Sequence, residues 1–331
     1  MKFFRISAIM LVVISGLITV FFGAAKISSG KAAQKIKGYD GIITVWQIDT
    51  FEGGYGSRRK FLADRAKEFS KIAGSLFLVT SHTKDSAEEN FKNGIFPDIL
   101  SYGCGIDVPK AEVFSSQLYF NAGSVNGKTY ATPWCRGSYF LIKHGKFNNE
   151  NESKKLSSVI VSQGKSNVPL MSAFCDGYEI EEYKSYSPID AYKNFTLGKT
   201  PYLIGTQRDI TRLKTREINF TFSVLNGFCD LYQYVSVTTV SKEKSRVLEE
   251  FIKYLLTEKS QSKLKDMFLL PVKSGAEVNG ELSDAFNKGV KNTVSAFISQ
   301  SEISETNYML EKYFSGEKTL GAKIKNVLIK P

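Results

Sequence analysis

Short apolar runs alternate with amphipathic segments in the first third of the chain. Residues 41–46 are apolar and rich in β-branched side chains, which predicts a buried strand, and similar runs predict strands at 76–80 and 97–100. Between them, apolar residues at helical spacing predict a helix that begins after Ser57, and a polar segment predicts a short helix at 85–93. This β-α-β-α-β order predicts a parallel sheet with helices on its faces.

The rest of the chain repeats this alternation less clearly. Further strands are predicted at 130–132, 139–142, 202–205 and 234–239. The clearest helix is 245–268, and a helical tail is predicted at 282–298 and 306–314. The segment 146–166 is polar and is predicted to lie on the surface. A core-facing stripe within the clearest helix consists of Leu248, Phe251, Ile252, Leu255 and Leu256.

The amino-acid composition predicts a folded protein with a basic surface. The 331 residues are 42% hydrophobic and 13% aromatic, which excludes a disordered chain and suits one large or two medium domains. The formal net charge is +11, but Lys and Arg are spread along the chain and interleaved with Asp and Glu. Because no aromatic-plus-basic motif occurs either, nucleic acid is not an expected partner. No internal repeat or low-complexity linker occurs, so two domains would touch and exchange strands.

The N-terminus predicts export. Lys2 and Arg5 precede the uncharged run 6–25, which ends in small residues. This pattern is typical of a secretory signal cleaved after Ala25, and the run is also long enough to remain as a membrane anchor. Both alternatives place the rest of the chain outside the cytoplasm, at the cell surface or secreted. No cysteine lies near the end of the run to carry a lipid.

The cysteines and histidines do not form a recognisable metal motif. No CxxC pair occurs, and the only histidines, His82 and His144, are far apart in sequence, so a zinc site is not expected. Export would permit disulfides, but the wide cysteine spacing favours free, mostly buried thiols. The four cysteines are Cys104, Cys135, Cys175 and Cys229.

Catalytic signatures are missing from the sequence. It contains neither a GxSxG elbow nor an HExxH motif. The segment 123–129 resembles a phosphate-binding loop but has three residues between its glycines where four are needed, and Asn126-Gly127 is better interpreted as a hairpin turn. Adjacent acidic pairs do not face each other on a helix, so they make poor acid–base dyads. We therefore expect a protein that is not an enzyme and needs no cofactor.

Five segments, in order, resemble the extracellular solute-binding proteins of ABC importers, in particular the carbohydrate-binding group. Together they cover about residues 42–272. The segments are the strand 43–46 with the glycine turn 53–56, the GIFPDI run 94–99, the GKTYATPW run 127–134, the pair 195–200 and 204–207, and FIKYLL at 251–256 with LPV at 270–272. The chain departs from the family pattern in lacking a lipid-bearing cysteine and in being short between His144 and Asp190.

The resemblance implies a two-lobed periplasmic-binding-protein-like α/β fold. Each lobe would be a mainly parallel sheet flanked by helices, with hinge crossovers between the lobes. After the leader 1–25 and a linker 26–40, the implied first lobe is 41–136 with 231–272. The implied second lobe is 137–230 with 273–331.

The resemblance also implies a function without chemistry. The protein would capture a carbohydrate in the cleft between its lobes, as a monomer, and deliver it to the membrane permease of an ABC transporter. The alternative is a membrane-anchored sensor or accessory protein that keeps the fold without importing anything.

Candidate ligand-binding residues follow from where the strands end. Aromatic faces cover the C–H faces of sugars, and Asp, Asn, Gln and Arg side chains bond their hydroxyls. In a fold of this type, such residues lie at the carboxyl ends of strands and at the crossovers. For each residue the structural alternative is a core, hinge or solvated position. The candidates are Trp46, Gln47, Asp49, Ser101, Tyr102, Trp134, Arg136, Gln207, Arg208, Phe228, Asp230 and Tyr232.

Cations at a helix start suggest a second type of site. Arg58 and Arg59 follow the glycine turn 53–56 and begin a predicted helix, where the helix dipole favours anions. An anion site here would imply an acidic or phosphorylated sugar. The alternative is a solvated face with Glu52 or Asp64 as ion-pair partners.

Overall fold

The computed structural model describes residues 39–109, 111–115, 118–147, 154–162, 167–239, 241–317 and 319–329. The predicted leader and residues 26–38 of the predicted linker lie outside the described residues. Within the described ranges, no helix combines the length and the apolar character needed to cross a membrane.

Strands and helices alternate along most of the described chain. The strands are β1 (Ile42–Ile48), β2 (Leu76–His82), β3 (Ile99–Tyr102), β4 (Ser124–Val125), β5 (Lys128–Thr129), β6 (Thr132–Arg136), β7 (Tyr139–His144), β8 (Lys155–Ser162), β9 (Glu179–Tyr186), β10 (Tyr202–Thr206), β11 (Phe220–Leu225) and β12 (Tyr232–Val237). The α-helices are α1 (Arg58–Ala73), α2 (Lys84–Lys92), α3 (Val168–Cys175), α4 (Pro188–Thr196), α5 (Gln207–Thr215), α6 (Lys242–Leu255), α7 (Glu258–Gln261), α8 (Ser283–Lys288), α9 (Gln300–Phe314) and α10 (Leu320–Ile329).

Two five-stranded sheets organise these elements, and we call the half of the molecule around each sheet a lobe. The first sheet has the order β2-β1-β3-β12-β6, and the second has the order β11-β7-β10-β8-β9. In the first, β1 pairs in parallel with β2 and β3, as predicted, whereas β12 is antiparallel to β3 and β6. In the second, β8 is parallel to β9 and β10, and β7 is antiparallel to β10 and β11. The sheets are therefore mixed, where mainly parallel sheets were expected.

Local sequence explains where the first helix begins and ends. The Ser57 side chain accepts a hydrogen bond from the backbone N–H of Lys60, and Gly74 ends α1 in a left-handed conformation with φ of 74°. The predicted hairpin at Asn126-Gly127 is also present, because both residues have positive φ values and the turn joins β4 to β5.

Other local predictions need correction. The predicted helix 245–268 is divided into α6, α7 and a 3₁₀ segment (Ser262–Met267). The division occurs because the Thr257 side chain accepts a hydrogen bond from the Ser260 N–H and so caps a new helix that begins at Glu258. The predicted surface segment 146–166 contains β8, whose residues 159–161 are buried between neighbouring strands. The predicted helix 282–298 is helical mainly at α8.

Among the described residues, three of the chain segments that run between the lobes bond to one another. The first is 137–138 between β6 and β7, the second is 226–231 between β11 and β12, and the third includes Leu270. Backbone atoms of Arg136 and Leu270 exchange two hydrogen bonds of 3.0 and 2.9 Å, and Gly137 N–H donates to the Leu231 carbonyl at 2.7 Å. A Cβ at residue 137 would lie 2.7 Å from the Gln207 amide and 3.1 Å from Leu231 Cβ, so a larger residue here would force the buried Gln207 side chain to shift.

The apolar stripe of α6 fills the first lobe, and Phe251 is at its centre. This ring is fully buried and packs against Phe69 and Phe77 at centroid distances of 5.5 and 4.8 Å. We expect Phe251→Ala to lower the free energy of unfolding by about 3–5 kcal/mol, because it removes apolar contacts and leaves a cavity. Urea unfolding followed by circular dichroism measures this change.

The matched control is Arg246→Ala on the exposed side of the same helix. It should change the free energy of unfolding by less than about 0.5 kcal/mol. Equal effects of the two substitutions would contradict the placement of the α6 stripe in the core.

Candidate functional site

A cavity of about 480 Å³ lies between the two lobes. Its walls carry carboxylates, two cations, hydroxyls and a few apolar side chains. The lining residues are Asp49, Thr50, Phe51, Glu52, Lys84, Cys104, Gly105, Ile106, Tyr139, Ser162, Pro188, Thr206, Arg208, Asp209, Asp230, Leu231, Gln300 and Ile303.

The lining residues cluster at one end of each sheet. Residues 49–52 follow β1 and residues 104–106 follow β3, at the carboxyl ends of parallel strands in the first lobe. Ser162 and Thr206 end β8 and β10 in the second lobe, and Tyr139 begins the antiparallel β7 beside them. The carboxyl ends of the parallel strands of both sheets thus face the same cavity, which is where α/β folds bind ligands.

The Asp49 carboxylate is held by neighbours on its own lobe. Its Oδ1 accepts hydrogen bonds from Arg58 Nε at 2.8 Å and from Gln47 Nε2 at 3.0 Å. Arg58 is buried and also donates to the Phe51 carbonyl, with its guanidinium 4.2 Å from the Phe51 ring centroid. Of the two cations predicted to form an anion site, Arg58 is therefore paired with Asp49, and Arg59 is exposed.

Glu52 connects the lobes across the cavity. Its carboxylate forms an ion pair with Arg208 and lies 3.9 Å from Arg212, and both arginines belong to α5 in the second lobe. Its backbone carbonyl accepts a hydrogen bond of 3.3 Å from Gln207 Nε2. Side-chain and backbone contacts of one residue therefore link the two lobes.

Tyr139 and Asp230 form a short hydrogen bond at the crossover. The Tyr139 hydroxyl donates to Asp230 Oδ1 at 2.5 Å. Burial, together with the negative charge of Asp230, raises the pKa of Tyr139 well above its usual value, so the phenol stays protonated and remains a donor. Burial and Asp230 also raise the pKa of the nearby Cys104 thiol, which keeps it uncharged.

Asp209 is a buried carboxyl group on the cavity wall. Its Oδ2 accepts from the Thr206 backbone N–H at 2.9 Å, which completes a capping box at the start of α5. Burial raises the pKa of Asp209 to about 6, although the Thr206 hydrogen bonds and the charges of Arg212 and Arg208 oppose this rise.

Helix α9, which precedes the last helix α10, contributes the remaining wall. Lys84 Nζ donates to the Gly105 carbonyl at 2.7 Å and contacts Gln300 Oε1 at 3.4 Å. The chain before α9 is bonded to the first lobe, where Gly105 N–H donates to the Ile298 carbonyl. Gln300 and Ile303 therefore reach the cavity from a helix far away in sequence.

Three of the sequence-predicted ligand residues line this cavity: Asp49, Arg208 and Asp230. Two others lie directly behind the wall. Gln47 is buried and donates to Asp49, and Gln207 is buried with its Oε1 accepting from Ser138 N–H at 3.1 Å.

Neither tryptophan lines the cavity. The Trp46 ring is buried and stacks with His82 and Phe91, at centroid distances of 4.1 and 6.1 Å. The Trp134 ring is fully buried, stacks on Phe61 at 5.2 Å, and donates from Nε1 to Ser101 Oγ at 2.9 Å. The two indoles occupy the core positions that were the structural alternatives to stacking on a sugar.

The remaining predicted residues are also buried away from the cavity lining. Tyr102 bonds Ser236 Oγ at 3.0 Å, and Arg136 Nη2 donates to the Ala285 carbonyl at 2.9 Å. Phe228 is fully buried, and the Tyr232 hydroxyl lies 3.5 Å from Thr293 Oγ1. Ser101 is buried between Trp134 and Gln233.

The sequence prediction omitted several lining residues. The strand-end rule could have found Lys84 after β2 and Thr206 at the end of β10, because both follow apolar runs. Ser162 could have been found by the same rule only if β8, which it ends, had been predicted from the sequence. Gln300 and Ile303 belong to a distant helix, and no sequence signal places them here.

Two further cavities are smaller. One of about 380 Å³ adjoins the interlobe cavity and is lined by the glycine turn 53–56, Arg58 and Arg208. Another of about 270 Å³ lies at the opposite end of the second sheet and includes Lys154 and Thr221. Among the residues that the structure describes, no group of three or more His, Cys, Asp or Glu is placed to hold a metal ion. All four cysteines are free thiols.

Two solved structures show the same arrangement of elements. The chain is similar to the maltose-maltodextrin binding protein of the thermoacidophilic bacterium Alicyclobacillus acidocaldarius, with a TM-score of 0.57 and 14% identity over 86% of this chain and 99% of that chain. It is similar to iron-bound HitA from Pseudomonas aeruginosa, with a TM-score of 0.53 and 12% identity over 86% of this chain and 99% of that chain. No family model and no curated protein sequence matches the chain. The chain therefore has the two-lobed α/β fold of periplasmic binding proteins, as its sequence predicted.

Asp209 makes stability depend on pH. Because its pKa is about 6 in the folded protein and 3.8 for an unperturbed aspartate, folding favours the protonated carboxyl. Its contribution to stability is therefore complete below about pH 4 and is lost as the pH rises through about 6. We expect the free energy of unfolding of Asp209→Asn to fall less over this range than that of the unsubstituted protein, by on the order of 2–3 kcal/mol. Urea unfolding at a series of pH values measures the difference.

Asp190→Asn is the matched control. Asp190 occupies the same third position of its helix, α4, with Ser187 as the cap, but it is exposed. Asp190→Asn removes a carboxylate from the same helix position and leaves Asp209 in place, so the loss of stability with rising pH should persist in this variant. The same loss in Asp209→Asn would show that burial does not control the Asp209 carboxyl group.

Proposed function

We propose that the protein is an extracytoplasmic solute-binding protein that captures a carbohydrate between its lobes and delivers it to an ABC transporter permease. One observation carries the proposal: the carboxyl ends of strands from both sheets meet at a single cavity of about 480 Å³. A ligand bound there contacts both lobes, so its binding favours the closed arrangement over an open one.

The chemistry of the cavity supports a hydroxyl-rich ligand. Carboxylates of Asp49 and Asp230 can accept hydrogen bonds from hydroxyls, while Thr50 and Ser162 can donate or accept. The Phe51 ring offers an apolar face for sugar C–H groups. The similarity to a maltose-maltodextrin binding protein supports this ligand class, and the resemblance of five sequence segments to the carbohydrate-binding group supports it independently.

Lobe movement requires no chemical reaction. The backbone bonds between Arg136 and Leu270 and between Gly137 and Leu231 lie at the crossings, where a hinge would bend. The contacts of Glu52 with Arg208 and Gln207 lie across the cavity, where opening would break them. We assign the first lobe to 41–136 with 231–272 and the second to 137–230 with 273–331, and we expect the N-terminal segment 1–25 to direct export.

Sugar binding and a cleft substitution test the proposal together. A panel of neutral and acidic oligosaccharides is screened against the full chain by thermal shift, and hits are titrated by calorimetry. We expect at least one sugar to raise the melting temperature, and Asp230→Asn to weaken its binding by about tenfold or more, because a hydroxyl loses a charged acceptor.

Thr221→Val is the control, since Thr221 lines the cavity at the opposite end of the second sheet. It should keep the affinity of the unsubstituted protein. The absence of a shift with every sugar, or an equal loss of affinity in both variants, would refute the assignment of the interlobe cavity as a sugar site.

A further inference from the structure

The carboxylate of Glu52, in the first lobe, lies beside Arg208 and Arg212 of the second lobe, and we call this place the arginine site. The Glu52 carboxylate contacts Arg208 and lies 3.9 Å from Arg212. The two arginines are four residues apart on α5, so they project from one face of the helix. The protein thus places one of its own carboxylates between two guanidinium groups, which is a geometry that guanidinium recognises well.

Two arginines and one aspartate of α5 meet here, so their charges balance only when a second carboxylate, such as that of Glu52, is present. Asp209 contributes one negative charge when ionised, and it is fixed to the start of α5 through the Thr206 N–H. Arg208 and Arg212 contribute two positive charges, and besides burial the Arg212 charge lowers the pKa of Arg208. Without Glu52, one positive charge would remain uncompensated in a partly buried place.

Glu52 is easier to displace than the arginines it contacts. Its side chain is 52% exposed and belongs to the connection between β1 and α1, whereas those of Arg208 and Arg212 are 28% and 26% exposed. Half-exposed ion pairs contribute little to stability, because water solvates the separated charges. A carboxylate from a ligand can therefore replace Glu52 at little cost.

The ion pair of Glu52 with Arg208 is part of the lining of the proposed ligand cavity. Glu52 and Arg208 line both the interlobe cavity and the adjoining cavity of about 380 Å³, so their ion pair forms part of the wall between the two. A ligand carboxylate that replaced Glu52 would therefore lie where the two cavities adjoin, and a ligand of more than one sugar ring has room to extend into both.

We propose that the cleft is selective for an acidic oligosaccharide, one of whose carboxylates replaces Glu52 between Arg208 and Arg212. This inference rests on the proposed function and narrows its substrate class to sugars that contain uronate. It places anion recognition on α5 of the second lobe, away from Arg58 and Arg59, because Arg58 is already bound to Asp49.

Matched pairs of sugars test the inference by isothermal titration calorimetry. Oligogalacturonate is compared with oligogalactose, and a glucuronate-containing disaccharide with its glucose counterpart, so that each pair differs in the carboxylate. We expect the acidic member of at least one pair to bind about tenfold or more tightly than the neutral one. Arg208→Gln should abolish that preference, and Glu52→Gln should strengthen acidic binding severalfold, because the internal competitor is removed.

Arg216→Gln is the matched control, because Arg216 caps the other end of α5 and its guanidinium lies over the Tyr192 ring. It should retain the full preference. Neutral members that bind as tightly as acidic ones, or a preference that survives Arg208→Gln, would overturn the inference and leave the proposed function intact. If no sugar of either kind binds, both proposals fail.

Discussion

Backbone hydrogen bonds between the chain crossings are the constraint on which the rest of the structure depends. Arg136 and Leu270 exchange a pair of bonds, and Gly137 donates to Leu231, so three crossings are fixed side by side. Because these bonds use backbone atoms, they do not depend on particular side chains, although the absence of a side chain at Gly137 leaves room for the buried Gln207 amide. They orient the two sheets so that their strand ends face a common cavity.

The cavity is charged on both sides, and most of its charges are already paired within the protein. Asp49 is bound to Arg58 on the first lobe, and Glu52 reaches across to Arg208 on the second. Asp209 is tied to the start of α5 and has a raised pKa because it is buried. A charged ligand must therefore compete with carboxylates of the protein for these arginines, and the half-exposed Glu52 is the carboxylate that is easiest to displace.

Local patterns in the sequence were sufficient for much of the fold. Apolar runs gave β1, β2 and β3, and Ser57 and Gly74 mark the ends of α1 through capping and backbone geometry. The same approach failed for β8, because its buried apolar residues, Leu156 and 159–161, are embedded in a polar segment. The antiparallel strand pairs within both sheets could not be predicted either, since the relative direction of two strands depends on contacts between residues far apart in sequence.

For the site, the sequence by itself determined which residues follow the predicted strands, and these included Asp49 and Arg208 of the cavity lining. Asp230 was expected there because the family resemblance implied a crossover at that turn. It could not decide which way Trp46 and Trp134 face, and both lie in cores because helices α1 and α2 supply aromatic partners for them. Only the tertiary structure brought Glu52 to Arg208 and added Gln300 from α9. The physical reason is that a strand end is a local property of the chain, whereas a charge pair between lobes exists only when distant segments pack together.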